Sequence, residues 1–265
     1  MKITPRPRTS NAGTGSSSGT STDLGACDVL LSVVIPTRNR LEMLKSVVAS
    51  VLDQCPPGVA GATGACVEVC VADDGSTDGT GEWLRSQRRI QPGVIRRVRP
   101  QGRGEAAARN AGVRIAQGTW VLFLDDDDAL APGALDRLLP MLEHERLDST
   151  NATAAFKTRG RAMHPVPTGD AIPDADALHR DAATSPARPG NGTLLRTHQT
   201  LVHCLASRGA FGGVGGLIVR RTRLRPEPFG HSQCNCADVA MQLAHGGLGP
   251  VVQVLSPPLW LVRTH

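Results

Sequence analysis

The chain has 265 residues, 40% of them apolar, with no long uninterrupted hydrophobic run, which is enough for one substantial core and too little for three domains. A formal charge of +5 favours phosphate-bearing ligands, but a chain with no Tyr and four Phe lacks the aromatic platforms of single-strand binders, which argues against a nucleic-acid reader. Seven cysteines without paired C-x-x-C spacing argue against structural zinc and for reduced thiols in a cytoplasmic protein.

From Thr9 to Asp23 the chain is almost wholly Ser, Thr, Gly, Asn and Ala, too poor in apolar groups to offset the entropy of ordering it. Residues 1–28 therefore read as a disordered arm. No apolar segment follows Lys2, Arg6 and Arg8, so neither a signal peptide nor an integral membrane segment is expected. Order begins at Val29. The run Leu30-Leu31-Ser32-Val33-Val34-Ile35, closed by Pro36, has the β-branched, uninterrupted character of a strand buried in a parallel sheet. Asn39 stands as N-cap of a following helix with Glu42 as its capping-box partner, and Leu41, Leu44, Val48, Val51 and Leu52 recur at helical spacing.

The pattern then repeats, with a loop over Pro56 to Gly64, a strand over Cys66 to Val71, a helix start over Thr77 to Arg85 and a weaker strand over Val94 to Val98. After the turn at Gly102 and Gly104, the Ala-rich stretch Glu105 to Ala116 reads as a helix, Trp120 to Leu124 as a strand and Pro132 to Glu143 as a helix. This alternation predicts an α/β fold with a parallel sheet and helices on both faces, and ligands on such sheets sit at the carboxyl ends of the strands. From Ser149 to Gln199 the periodicity disappears, and the segment reads as a long loop of the kind used as a lid or partner-binding segment. A strand over Val214 to Arg220, a helix over Ala237 to Ala244 and one or two strands over Val251 to Val262 follow. The expected organisation is a single catalytic domain over 29–265, its halves 29–148 and 201–265 separated by a flexible loop at 149–200.

The strongest chemical signal is Asp125-Asp126-Asp127-Asp128 at the end of an apolar strand, because four consecutive carboxylates repel one another unless a cation neutralises them. Mg2+ and Mn2+ take such oxygen ligands together with substrate phosphates. A solvated helix-capping turn is the plainer alternative, but a cap uses one carboxylate and gains little from three more. A second acidic element, Asp73-Asp74-Gly75-Ser76-Thr77-Asp78-Gly79, follows the second strand at the same sheet edge. Asp74 offers an acceptor to a base N–H, and Gly75 allows close backbone approach to a ligand. Ser76 or Asp78 would serve equally as a helix cap.

These residues resemble glycosyltransferase family 2, in which a first strand ends in Pro-Thr-x-Asn-Arg, an Asp-Asp-Gly-Ser-Thr-Asp-Gly-Thr element follows, and Leu-Asp-x-Asp-Asp comes after a later strand. Here they read Pro36-Thr37-Arg38-Asn39-Arg40, Asp73 to Thr80, and Leu124 to Asp128, and Ala108-Arg109-Asn110-Ala111-Gly112 is similar to the family's Ala-Arg-Asn-x-Gly. The resemblance implies the GT-A fold, a Rossmann-like, mixed but mainly parallel sheet. It also implies an inverting transfer of a sugar from a nucleoside diphosphate, of the UDP or TDP type, to an acceptor hydroxyl. Pro36, Thr37, Arg38, Asn39, Asp74, Gly75, Arg109, Asp125 and Asp126 would then bind the donor, with Thr37 and Asp74 toward the base, Arg109 near the base or diphosphate and Asp125 on the ribose.

Asp127 would bind the divalent metal, Mn2+ or Mg2+. Ala237-Asp238-Val239-Ala240-Met241-Gln242-Leu243 resembles the family's Glu-Asp-x-x-Leu helix, which makes Asp238 the general base, though Ala stands at 237 in place of Glu. Val262-Arg263-Thr264-His265 looks like the family's Tyr-Arg-x-His, which makes His265 a further metal ligand. The acceptor is expected to be a small molecule or a glycan, and a homodimer is allowed. The alternatives are a sugar-phosphate nucleotidyltransferase, for which Pro36 to Arg40 lacks the needed Gly-rich loop, and an inactive sugar-nucleotide-binding partner, motivated by Ala237.

Overall fold

The computed structural model of the chain describes residues 29–55, 66–90, 94–147, 155–158, 160–163, 194–197, 214–230, 241, 251–254 and 259–263. Strand β1 (Val29–Thr37) is buried from Leu30 to its end. It pairs in parallel with β2 (Cys66–Asp73) on one side and β4 (Trp120–Phe123) on the other, and β2 pairs in parallel with β3 (Ile95–Val98). A strand can occupy such a central place only if both faces are apolar, and β1 satisfies this: Leu31, Val33 and Ile35 join one core cluster and Val34 joins another. Helices α1 (Leu41–Leu52), α2 (Thr80–Ile90) and α4 (Ala134–Leu147) supply the first cluster with Leu44, Val48, Leu84, Leu135 and Leu138. Helix α3 (Glu105–Ile115) covers the opposite face with Ala106 and Val113. Helices therefore lie on both faces, as expected.

Five further strands extend or flank this core: β6 (Ala155–Thr158), β7 (Gly160–Met163), β8 (Leu194–Thr197), β9 (Leu217–Arg220) and β10 (Val251–Val254). The large sheet runs β3-β2-β1-β4-β9-β6-β10-β8. Its β9 is antiparallel to both β4 and β6, and β10 is parallel to β6 but antiparallel to β8, so the sheet is mixed. In a small second sheet, β11 (Trp260–Arg263) pairs antiparallel with β5 (Ala129–Leu130) and parallel with β7.

Two close contacts fix the frame of the sheet. Helix α3 rests so near β1 that a Cβ on Gly112 would overlap Cγ1 of Val34, which requires glycine in mid-helix despite its poor propensity. At the amino edge, buried Glu68 accepts hydrogen bonds from the Ser32 hydroxyl (2.6 Å) and the Gln117 N–H (2.5 Å), while Gly118 N–H donates to Ser32 Oγ (2.8 Å). These bonds tie the α3–β4 turn to the first two strands.

The structure corrects the sequence reading in several places. The stretch 149–200 is not irregular throughout, since β6, β7 and β8 lie within it. Each is four residues long and owes its place to main-chain pairing, which leaves no apolar period to read. Strand β9 begins at Leu217, three residues later than expected, and α4 begins at Ala134. Of the expected 237–244 helix only Met241 is described; it is helical and buried. Asn39 is not the cap of α1. Its backbone is left-handed (φ 51°), a region Asn tolerates, and its Oδ1 accepts the Thr77 N–H at 2.7 Å while its own N–H donates to Ser76 Oγ at 2.9 Å. The open Leu41 N–H is satisfied across the loops by Asp78 Oδ2 (2.9 Å), and Glu42 pairs with Lys45 (2.7 Å).

Candidate active site

Because β1, β2 and β4 are adjacent and parallel, their carboxyl ends share one edge, and the chain crosses from one side of β1 to the other between β3 and β4. Ligand sites of open α/β sheets form at such a reversal of strand order. Thr37 ends β1, Asp74 follows β2, Asp125 to Asp128 follow β4, and Gly104 opens α3 beside them. A cavity of about 440 Å3 lies there, lined by Pro36, Thr37, Arg38, Arg40, Asp74, Gly104, Glu105, Ala108, Asp125, Asp126 and Asp127. A second cavity of similar volume, lined by Thr119 and 220–223, carries arginines but no carboxylate, so it offers nothing to a cation.

The four aspartates divide into distinct environments. Asp126 is buried, with Oδ2 accepting from the Thr37 hydroxyl at 2.8 Å and Oδ1 from Arg40 Nη1 at 2.9 Å. Burial pushes its carboxyl above the usual carboxylate range, and the hydrogen bonds from Thr37 and Arg40 offset that only in part. The Arg40 guanidinium is shifted upward in turn by its hydrogen bond and charge contact with Asp126, so the pair keeps its positive partner.

Asp125, Asp127 and Asp128 form the other group, each offering a carboxylate oxygen within 4.8 Å of the others. The turn is closed by the Asp128 N–H donating to the Asp125 carbonyl at 3.2 Å. Three converging carboxylates that are only partly exposed or buried suit a hard divalent cation, so the residues present fit the metal that the motif implies. Arg40 also reaches Asp127 Oδ2 at 3.1 Å.

Arg109 does not line the cavity. Its guanidinium is buried, donates to Asp125 Oδ1 at 2.6 Å, pairs with Glu105 at 2.6 Å and lies over the Phe229 ring at 5.5 Å. The neighbouring Asn110 receives the Phe229 N–H (3.0 Å) and donates to the Gly230 carbonyl (2.8 Å), which secures that ring. Asp74 accepts the Gly104 N–H at 2.9 Å through Oδ2, and Arg38 stands 3.7 Å from the same oxygen. This puts a carboxylate at the positive end of α3.

Of the residues expected in the site, Pro36, Thr37, Arg38, Asp74, Asp125, Asp126 and Asp127 share the cavity wall. Asn39 and Gly75 are not among the lining residues; Gly75 sits at φ 78°, a turn that favours glycine. Asp238 and His265 lie outside the described residues. Sequence reasoning passed over Arg40, Gly104 and Glu105 as site residues and took Asp128 only as part of the aspartate cluster, with no role of its own. Arg40 stands inside the first motif and Asp128 inside the aspartate run, so both were in view, but nothing in the order of residues says which carboxylates a guanidinium will meet.

Comparison with known proteins places this geometry. The chain is 30% identical over 140 residues to the uncharacterized glycosyltransferase YibD of Escherichia coli, covering 52% of this chain and 38% of that protein. It is 36% identical over 110 residues to chondroitin synthase of Pasteurella multocida, covering 42% of this chain and 10% of that protein. The chain thus spans well under half the length of these curated relatives. Among solved structures it superposes on S. aureus TarS 1-349, determined in complex with UDP-GlcNAc, with a TM-score of 0.62 at 17% identity, covering 89% of this chain and 59% of that one. That likeness is one of fold. The model of glycosyl transferase family 2 matches residues 32–181, a span that holds β1 from Ser32 onward, the Asp73–Asp74 turn and the whole aspartate run, and the chain belongs to that family.

Proposed function

We propose that the chain transfers a sugar from a nucleoside diphosphate donor to an acceptor hydroxyl, with inversion at the anomeric carbon. The observation that carries this reading is the convergence of the Asp125, Asp127 and Asp128 carboxylates, within 4.8 Å of one another, with Asp125 and Asp127 on the wall of a cavity that Thr37 and Asp74 also line. Asp127 and Asp128, with Asp125 beside them, would hold Mn2+ or Mg2+, and the cation would supply positive charge against the departing diphosphate. Thr37 and Asp74 face the base and Asp125 the ribose. Arg109 acts on the donor through Asp125, whose carboxylate it holds.

Asp238 takes the proton of the acceptor hydroxyl as that oxygen bonds to the anomeric carbon and the bond to the diphosphate oxygen breaks on the opposite face. His265 completes the cation's ligand set. In support, β11 leaves its antiparallel pairing with Ala129 and Leu130 in the direction of the aspartate run. The donor is a UDP or TDP sugar and the acceptor a small molecule or glycan. The reaction belongs in the cytoplasm, in keeping with the free thiols of Cys55 and Cys70. Among the described residues no helix is long and apolar enough to cross a membrane.

Calorimetric titration of UDP, TDP and GDP, with and without Mn2+, tests the reading. One diphosphate is expected to bind with the metal present, and Asp127→Ala is expected to weaken it at least about tenfold, the scale on which one metal ligand matters. Absence of nucleotide binding under every condition removes the proposal. Asp238→Asn should abolish turnover while leaving donor binding intact.

A further inference from the structure

Arg40 occupies an unusual position for a residue between a strand and a helix. Its carbonyl accepts the Leu44 N–H at 2.9 Å, so its backbone is held by the first turn of α1, but its side chain extends back over the cavity and is about half exposed. One nitrogen, Nη1, makes both of its carboxylate contacts, to Asp126 Oδ1 at 2.9 Å and Asp127 Oδ2 at 3.1 Å. The two carboxylates differ in freedom. Asp126 is buried and spends its other oxygen on the Thr37 hydroxyl, so it is a fixed anchor. Asp127 belongs to the group of three that converge on a cation site. The guanidinium therefore stands on one of the oxygens that a divalent cation would use, while Nε and Nη2 make no hydrogen bond among the described residues and the side chain lines the cavity wall.

We infer that Arg40 is an exchangeable counter-ion: it neutralises Asp127 when no cation is bound, yields Asp127 to the cation, and turns its free edge to the diphosphate of the donor while remaining anchored on Asp126. A dication and a guanidinium sharing one carboxylate repel each other, so Arg40 opposes the cation when it arrives alone. An incoming diphosphate removes that opposition, because its oxygens are the acceptors that suit the planar, two-pronged donor face of arginine. Cation and nucleoside diphosphate then each raise the affinity of the other, as linkage requires. The inference rests on the proposed transferase reading and assigns to one residue a share of the coupling between its metal and its donor, beyond what direct ligation of the cation by phosphate oxygens supplies.

The test is calorimetric titration of Mn2+ into the full chain with and without saturating UDP, comparing wild type with Arg40→Gln and Arg40→Lys, each checked for native circular dichroism. In wild type UDP should tighten Mn2+ binding about tenfold or more, within the range of ordinary coupling energies. Arg40→Gln should bind Mn2+ alone several-fold more tightly than wild type, and the tightening that UDP brings should fall several-fold below the wild-type factor, leaving the share that the diphosphate oxygens contribute as ligands of the cation. Arg40→Lys keeps the charge without the two-pronged face, so it should hold Mn2+ affinity near the wild-type value and lose part of the coupling, as Arg40→Gln does. Unchanged Mn2+ affinity and coupling in Arg40→Gln, or weaker binding of Mn2+ alone, would overturn the inference, and if that variant does not fold, full coupling in Arg40→Lys does the same. Wild-type protein that binds no Mn2+ with or without UDP sinks the transferase reading and this inference with it, whereas normal wild-type binding beside an unchanged variant sinks the inference alone.

Discussion

Asp73 and Asp74 are neighbours in sequence and serve different ends. Asp74 meets the cavity, whereas Asp73 is buried at the end of β2, where it accepts the Ser76 N–H at 2.8 Å and an Arg97 Nη2 hydrogen bond at 2.5 Å. Burial pushes the Asp73 carboxyl up, but the hydrogen bonds from Ser76 and the bond and charge of Arg97 together hold it below the ordinary value. A carboxyl lowered by folding contributes stability that is complete above its unfolded pKa and is lost as pH falls through the folded one. Asp73→Asn should therefore cost about 1–3 kcal/mol at neutral pH, and the difference from wild type should shrink below about pH 4, as read by urea unfolding at both pH values. At this scale the sequence announces the carboxylates, since charges at the ends of apolar strands stand out. It does not announce their partners. Asn39 illustrates the limit: a cap and a loop bridge need the same side chain, and only its left-handed backbone distinguishes them.

The elements most legible in the sequence are those with both faces buried. β1, β2 and β4 are apolar runs ended by Pro or Asp, and α1 shows its packed face at regular spacing. The strands β6, β7 and β8 escape notice because four residues of mixed polarity carry no period, and their pairing partners lie far along the chain. Helix α3 was visible from its alanines, but its closeness to β1 was not. Gly112→Ala should force α3 off Val34 and cost about 1–3 kcal/mol, in the manner of an overpacked core, although alanine is the better helix former; thermal or urea unfolding measures it. Stabilisation by Gly112→Ala would show that the helix shifts at no cost.

For the whole molecule, residue order predicts the layers but not the sequence of strands within them. The reversal at β9, antiparallel to β4, depends on contacts between residues about a hundred positions apart. The arrangement concentrates resistance to unfolding in the parallel centre, so amide exchange should be slowest in β1, β2 and β4. Cys70 offers a second probe of the same event. Burial, the largest influence, and the nearby Glu68 push its thiol far above the usual range, so a thiol reagent should label it only on the timescale of that slow exchange. Strand β9 bears further on how members of this family diversify. It pairs with β4 and β6 at once, and Arg220 at its end lies over the Trp120 ring at 4.4 Å and donates to the Glu145 carbonyl of α4 at 2.8 Å. The second half of the chain is consequently not a detachable cassette. A chimera cut within residues 149–200 would divide one sheet between two parents, so exchange of sequence between relatives has to proceed by rewriting connections while the ladder from β4 through β9 to β6 is kept whole.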